Sequence, residues 1–154
     1  MTRILFICHG NICRSPMAEF VFKDLARRRG VSDRFFVASA ATSTEEIICG
    51  VGNPVYPPAR AELKKHGITC EGKRAVQLQK SDYNKYDLLL AMDEKNLYWI
   101  DRILGGDPEG KVKKLLSFAG RDGDIADPWY TGCFDATYRD VLEGCEALLT
   151  ALLT

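Results

Sequence analysis

The chain has 154 residues, with 21 Lys and Arg balanced by 21 Asp and Glu, so its formal net charge at pH 7 is zero. A chain of this length is predicted to form one domain over residues 1–154 that buries roughly 70% of the surface its unfolded form exposes. Because the charges balance, nucleic acid and anionic membrane are not expected as partners. No apolar run is long enough to predict a signal sequence or a membrane span. A monomer is expected.

Strand and helix patterns alternate along the chain. A continuous apolar run at residues 4–7 predicts a strand buried on both faces, and residues 16–29 carry apolar side chains at helical spacing. Residues 34–40 predict a second strand. Residues 57–66 predict a helix that ends at Gly67, a residue that suits the position just after a helix.

The same alternation continues to the end of the sequence. Residues 87–92 and 111–116 predict strands, separated by a short helix, and a final helix shows one apolar stripe. The pattern predicts an α/β fold, a three-layer sandwich with a four-stranded parallel sheet flanked by helices. Residues 42–58 and 117–134 are predicted to form long loops, which often carry function in compact domains.

The segment Cys-His-Gly-Asn-Ile-Cys-Arg-Ser, from Cys8 to Ser15, joins the first strand to the first helix. Ligands of parallel sheets bind beyond the carboxyl ends of the strands at a topological switch point, where Cys8 is predicted to lie. A helix N-terminus with free N–H groups favours an anion, and the planar guanidinium of Arg14 binds two oxygens at once. The same field favours the nucleophilic thiolate of Cys8. A nucleophile in an anion site predicts attack on a phosphoryl group.

The loop between these residues has the composition that such a site requires. Gly10 and Asn11 tolerate positive φ, so the backbone can curl until successive N–H groups converge. Ser15 is predicted to be the helix N-cap, followed by Pro16 at the first helical position. The predicted phosphate-binding loop therefore comprises His9, Gly10, Asn11, Ile12, Cys13, Arg14 and Ser15. The alternative for Cys8 is a small buried side chain at a strand end.

The arrangement Cys8-x5-Arg14-Ser15 resembles the phosphate-binding loop of cysteine-dependent phosphatases. With its N-terminal position, Asn11 and the following Pro16, it is similar specifically to the low-molecular-weight protein tyrosine phosphatase family, as is the later segment Asp-Pro-Trp-Tyr at residues 127–130. The resemblance implies hydrolysis of phosphotyrosine in proteins through a phosphocysteine intermediate. It implies no cofactor, and inorganic phosphate or vanadate as inhibitors.

Asp127 is the candidate general acid. A tyrosine phenolate is a poor leaving group because its conjugate acid has a pKa of about 10, so protonation by a positioned carboxylic acid lowers the barrier. Asp122 and Asp124 compete for this role, and an aspartate before a proline is also common in plain turns. The Asp-Pro-aromatic-Tyr context favours Asp127.

The resemblance also implies supporting roles. The Ser15 hydroxyl would donate to the Cys8 sulfur, and Asn11 and His66 would stiffen the loop by hydrogen bonding between their side chains. His66 in Lys-Lys-His-Gly also fits a cation at a helix C-terminus.

Trp129 and Tyr130 are predicted to wall the substrate cleft, unless they are packing anchors. Relatives often carry a Trp a few residues before a Val-Gly-x-Pro segment. Here that segment is residues 51–54, and residues 44–50 contain no Trp. The composition of the second wall is therefore open.

The six cysteines are scattered and, with only two histidines, show no metal-ligand spacing, so no metal is expected. Without a secretory signal, they favour reduced thiols in the cytoplasm over a disulfide framework. Cys13 either packs under the loop or acts as a redox partner that traps oxidised Cys8 as a disulfide, as the resemblance implies.

Three alternatives compete with a tyrosine phosphatase. An arsenate reductase of the same fold needs a further cysteine pair, but no cysteine lies between Cys70 and Cys133. A protein-arginine phosphatase would resemble the chain but carry Thr where Ile12 stands. A module that only binds phosphotyrosine or another anion would not need a nucleophile and an acid together.

Overall fold

A computed structural model describes residues 1–154. The strands are β1 (Thr2–Cys8), β2 (Phe35–Ala41), β3 (Ile47–Ile48), β4 (Val51–Gly52), β5 (Leu88–Ala91) and β6 (Val112–Lys114). The helices are α1 (Arg14–Arg28), α2 (Pro57–Lys65), α3 (Asp82–Lys85), α4 (Glu94–Leu104), α5 (Pro128–Thr131) and α6 (Phe134–Leu153), with short 3-10 turns at Ser32–Arg34 and Leu115–Ala119. No helix is long and apolar enough to cross a membrane.

The main sheet has four parallel strands in the order β2-β1-β5-β6, with α1 and α6 packed on one face and α4 on the other. The predicted fold class is therefore confirmed. The chain leaves β1 for β2 on one side and later returns to β5 on the other side. The carboxyl end of β1 is thus the switch point of the sheet, and Cys8 lies there as predicted.

The central position of β1 in the sheet explains why its sequence is continuously apolar. Ile4 and Phe6 belong to the core under α1 and α6, whereas Leu5 and Ile7 belong to the core under α4. The Phe6 ring lies 6.1 Å from that of Phe22 on α1, centroid to centroid. Burying each of these side chains contributes about 1.5–3 kcal/mol, and this fixes the strand that ends at the site.

The start of α1 differs from the prediction. The first helical hydrogen bond runs from Met17 N to Cys13 O at 3.1 Å, so the helix begins at Arg14 and Cys13 is its N-cap. The expectation that Ser15 caps the helix is wrong, because Ser15 already lies within the first turn. Its hydroxyl is therefore available to the site.

Both predicted long loops contain short regular elements. Residues 42–58 include the antiparallel pair β3 and β4, whose connecting residues Cys49 and Gly50 have φ of 52° and 77°, as a tight hairpin turn requires. Residues 117–134 include α5. Strands of two residues and a helix of four are too short to show a periodic sequence signal.

Candidate active site

The predicted phosphate-binding loop curls back on itself at Asn11, which has a φ of 60°. The buried Asn11 side chain joins two parts of the chain: its Oδ1 accepts a hydrogen bond from Val76 N at 3.0 Å, and its Nδ2 donates to Ser15 Oγ at 2.7 Å. Each amide end thus has a partner that only this curled conformation provides.

The thiol of Cys8 faces donors from the start of α1. Its Sγ lies 3.0 Å from Ser15 Oγ and accepts a bond from Ser15 N at 3.4 Å. Because Ser15 Oγ already accepts from Asn11, its own hydrogen is free to point to the sulfur. The Ala40 carbonyl, at 3.5 Å, is the longer alternative. An O–H and an N–H aimed at one sulfur stabilise negative charge on it.

The guanidinium of Arg14 is buried and held on two sides. Its Nη1 donates to Asp93 Oδ2 at 2.6 Å and to Ile125 O at 2.9 Å, and its Nη2 lies 3.5 Å from Asp127 Oδ2. Burial alone would lower the pKa of Arg14, but the negative charges of Cys8 and Asp93 outweigh it and raise the pKa. The side chain therefore stays positively charged at the floor of the site.

Asp93 is a contributor that the sequence analysis missed. It is the N-cap of α4, and its Oδ1 accepts from Asn96 N at 2.7 Å while Asn96 Oδ1 accepts from Asp93 N at 3.1 Å. This reciprocal pair fixes the carboxylate, leaving Oδ2 for Arg14. An Asp followed three residues later by an Asn, just after a strand, predicts a helix N-cap at Asp93. No local pattern indicates that Asp93 also bonds to Arg14.

Asp127 is the N-cap of α5. Its Oδ1 accepts from Trp129 N at 3.0 Å, and its Oδ2 faces Arg14. The competing Asp124 instead accepts from Glu94 N and Lys114 Nζ. Of the candidate acids, Asp127 is thus the one that lies next to the Arg14 guanidinium.

A cavity opens from this floor to the surface. Cys8, Ile12, Cys13 and Arg14 line its base, and Asp127, Trp129 and Tyr130 line one wall. The remaining wall consists of His9, Gly10, Glu45 and Glu46 and carries no Trp, Tyr or Phe. The structure therefore brings together the predicted nucleophile, the cation, the acid and the predicted aromatic wall.

The aromatic wall has one anchored and one free member. The Trp129 ring lies 4.8 Å from that of Tyr56, centroid to centroid, and is about half exposed. Tyr130 is 84% exposed. A partly fixed ring beside a free one offers an apolar surface at the cavity mouth without closing it.

Comparison with known proteins identifies the family. The family model described as low molecular weight phosphotyrosine protein phosphatase matches residues 3–154. The chain belongs to this family. The chain is 36% identical to the low molecular weight protein-tyrosine-phosphatase YfkJ of Bacillus subtilis over 155 residues, covering 99% of this chain and 96% of YfkJ. It is 39% identical to the rat low molecular weight phosphotyrosine protein phosphatase over 151 residues, covering 95% and 92%.

Solved structures agree with the sequence comparison. The crystal structure of YfkJ superposes with a TM-score of 0.93 at 34% identity and 99% and 95% coverage of the two chains. That of DARP, a drosophila arginine phosphatase, superposes with a TM-score of 0.88 at 30% identity and 100% and 99% coverage. The predicted family is confirmed, and the protein is a phosphoric monoester hydrolase acting on phosphoproteins.

One predicted support of this phosphatase's loop is not formed. His66 does not bond to Asn11. Its Nε2 lies 3.1 Å from Glu62 Oε2, and its ring stacks on Tyr138 with centroids 3.8 Å apart. His66 is the C-cap of α2, so its ring is directed to α6. Asn11 Oδ1 instead accepts its hydrogen bond from the backbone N–H of Val76.

Cys13, the predicted redox partner, is a buried free thiol on the cavity floor. Burial raises its pKa, and the negative charges of Cys8 and Asp127 raise it further, far above the ordinary range of a cysteine. Cys13 is therefore a neutral thiol at physiological pH and leaves the anion site to Cys8. No group of three or more His, Cys, Asp or Glu side chains is placed to hold a metal ion.

Proposed function

We propose that Cys8 attacks the phosphorus of a phosphotyrosine side chain in a protein, and that the reaction passes through a phosphocysteine intermediate without a cofactor. The observation that carries this proposal is the convergence of three groups on one cavity: the Cys8 sulfur with its donors, the fixed Arg14 guanidinium and the Asp127 carboxyl group. A binding module would need the cation but not the other two.

The first step transfers the phosphoryl group to sulfur. The S–P bond forms, the bond from phosphorus to the phenolic oxygen breaks, and the proton of Asp127 passes to that oxygen. Arg14 and the loop N–H groups stabilise the charge on the equatorial oxygens. Since Asp93 and Ile125 already hold the guanidinium, it needs little reorganisation when the substrate arrives.

The second step returns the enzyme to its starting state. Asp127, now a carboxylate, removes a proton from water, the water oxygen bonds to phosphorus, and the S–P bond breaks. The Ser15 hydroxyl, 3.0 Å from the sulfur, stabilises the departing thiolate. The product is inorganic phosphate, which competes for the same loop, and vanadate is proposed to inhibit in the same way.

Tyrosine is the proposed substrate residue because of the depth and lining of the cavity. The Cys8 thiol is 3% exposed at its base, and Trp129 and Tyr130 flank the mouth. A phosphotyrosine side chain reaches this depth and presents an aromatic ring to the wall, whereas phosphoserine is shorter. The likeness to a drosophila arginine phosphatase makes phosphoarginine the second candidate.

A substrate panel separates these candidates. Wild type and Cys8→Ser are assayed with phosphotyrosine, phosphoarginine and phosphoserine peptides and with arsenate. Wild type is expected to prefer phosphotyrosine, and Ile12→Thr to shift the preference toward phosphoarginine. Cys8→Ser is expected to lose turnover by about 10⁴-fold or more while still binding phosphate. Cys133→Ser, an exposed thiol outside the cavity, is the control. Undiminished turnover in Cys8→Ser would reject the mechanism.

We further propose that Cys13 protects the nucleophile from irreversible oxidation. Peroxide oxidises the Cys8 thiolate to a sulfenic acid and is itself reduced to hydroxide. The Cys13 sulfur then bonds to the Cys8 sulfur, and the sulfenic hydroxyl leaves with the Cys13 proton as water. Support comes from the shared cavity floor and from the raised pKa of Cys13, which keeps this thiol protonated and slow to react with peroxide.

Oxidation followed by reduction tests this role. Wild type treated with peroxide is expected to contain a Cys8–Cys13 disulfide by mass spectrometry and to recover with reductant. Cys13→Ser is expected to lose activity permanently. Equal recovery of the two proteins would leave Cys13 with a packing role only.

A further inference from the structure

Besides the aromatic wall formed by Trp129 and Tyr130, the cavity has an acidic wall. Glu45 and Glu46 line it, and they follow β2 at the start of the segment that leads into the β3–β4 hairpin. Glu45 is exposed and Glu46 is half-buried, whereas the Arg14 guanidinium is buried. A phosphorylated side chain that enters the cavity therefore meets both an aromatic lining and an acidic one.

Glu46 is held rigidly in this position. Its Oε1 accepts from Asn53 Nδ2 at 3.0 Å, and its backbone carbonyl accepts from Asn53 N at 2.8 Å. The hairpin is seated on the neighbouring chain, because a Cβ added to Gly52 would lie 1.9 Å from the Ala75 carbonyl oxygen. The Glu46 Cγ would lie 3.2 Å from a Cβ on Gly10, so its side chain covers the phosphate-binding loop.

The charge of this wall is poorly compensated. No Lys or Arg forms an ion pair with Glu45 or Glu46; the close side-chain partner of Glu45 is the His9 ring, whose Nε2 lies 3.0 Å from Glu45 Oε2. Glu45 is 68% exposed, so it can reach groups outside the cavity. The wall thus presents two carboxyl groups with no Lys or Arg side chain paired to them.

We infer that this acidic wall selects phosphotyrosine substrates that carry a Lys or Arg side chain next to the phosphorylated residue. The inference rests on the proposed function. When the phosphoryl group is at Arg14, the residues flanking the tyrosine must lie at the mouth, beside Glu45 and Glu46. A cation there gains from both carboxylates and offsets their repulsion of the phosphoryl group, whereas an anion adds a like charge.

The test uses three phosphotyrosine peptides that differ only in the flanking residues: Arg, Gln or Glu. In wild type at low salt, kcat/KM is expected to rise about two- to fivefold from Gln to Arg and to fall by the same factor from Gln to Glu, as for an exposed ion pair. The preference should shrink at high salt because exposed charges are screened.

Substitutions assign the preference to the wall. Glu46→Gln retains the acceptor for Asn53 and is expected to halve the ratio of kcat/KM between the Arg and Glu peptides or to reduce it further. Glu45→Gln/Glu46→Gln is expected to bring the ratio close to one. Glu109→Gln is the matched control, since Glu109 lies in the loop before β6, at the opposite edge of the sheet. Melting temperatures check that each variant is folded.

Two results would overturn the inference: equal turnover of the three peptides by wild type at low salt, or a preference that survives the double substitution. An aryl phosphate without flanking residues, assayed alongside, separates these failures from a failure of the proposed function. If wild type hydrolyses neither the aryl phosphate nor any peptide, the proposed function fails and this inference falls with it.

Discussion

Two loops at opposite ends of the parallel strands each present an aspartate: Asp107 at the amino end of β6, and Asp127 before α5, near the carboxyl end of β1. Asp107 Oδ1 accepts from Tyr83 Oη and from Lys111 N, both at 2.7 Å, and its Oδ2 accepts from Val112 N at 3.1 Å. Asp127 has one partner for each oxygen, Trp129 N at 3.0 Å and the longer contact of 3.5 Å to Arg14.

The two carboxyl groups differ in how far the protein satisfies them. Burial would raise the pKa of Asp107, but the hydrogen bonds from Tyr83, Val112 and Lys111 outweigh burial and lower it. Three donors hold this carboxylate in its charged form and thereby hold the loop. Asp127 faces the cavity with its Oδ2 and makes fewer and longer bonds. The carboxylate of Asp107 is saturated by donors of the protein and stabilises the fold, whereas Asp127 retains unused acceptor capacity beside a ligand cavity.

Arg14→Lys should have the largest effect on activity. An ammonium group cannot donate to Asp93 and Ile125 and also bind two phosphoryl oxygens. We expect kcat/KM for an aryl phosphate to fall about 10³-fold and phosphate binding to weaken in parallel. Arg121→Lys, at an exposed ion pair with Asp140 and Glu143, is the control and should keep normal activity. A loss of less than tenfold in Arg14→Lys would argue against the clamp.

Asp127→Asn should remove proton transfer while keeping the fold. The Asn side chain can still accept from Trp129 N, so α5 keeps its cap. We expect kcat/KM to fall about 10²- to 10³-fold for phosphotyrosine. The fall should be much smaller for aryl phosphates with acidic leaving groups, which need little protonation. An equal loss along a leaving-group series would show that Asp127 has a structural role.

The phosphate-binding loop could be predicted from the sequence because its information is local. The eight residues from Cys8 to Ser15 are contiguous, and the strand before them is recognisable from its apolar run. The loop's supports could not be predicted in the same way. Asn11 bonds to the backbone N–H of Val76, 65 residues away. Because nearly every residue type has a backbone N–H, the sequence cannot show which residue donates this bond. His66 was predicted there instead.

The ion pair between Arg14 and Asp93 and the acidic wall were missed for a related reason. Asp93 reaches Arg14 because β5 pairs with β1, and this pairing is a property of the sheet order. Glu45 and Glu46 line the cavity because a hairpin with two residues in each strand seats them there. Local patterns therefore predicted the chemistry, while long-range contacts determined its surroundings.

Asp107→Asn should have the opposite profile to Asp127→Asn. Replacing a charged acceptor of three hydrogen bonds should lower the free energy of unfolding by about 1–3 kcal/mol at pH 7 and leave kcat/KM unchanged. Because the folded state lowers the pKa of Asp107, its stabilisation is complete above the unfolded pKa of about 4 and is lost as the pH falls through the folded value. The difference in stability between the two proteins should therefore shrink as the pH is lowered below the unfolded value. Urea unfolding at pH 7 and pH 3 measures this, and a constant difference would contradict it.

Asp124→Asn should have the smallest effect, although Asp124 lies only three residues before Asp127. Its Oδ1 accepts from Glu94 N at 3.2 Å and Lys114 Nζ at 3.1 Å, and the side chain is 46% exposed. Lys114 also pairs with Glu94 and donates to the Asp122 carbonyl, so two partners remain for it, and an exposed pair contributes about 0–1 kcal/mol. We expect a stability loss within that range and a kcat/KM within about twofold of wild type across a leaving-group series. Because Asp124→Asn removes the same charge from the same loop, it separates loss of the acid from loss of local charge. If it reproduced the leaving-group dependence expected of Asp127→Asn, the general acid would be Asp124, and the contrast between Asp107 and Asp127 would no longer explain which carboxylate transfers the proton.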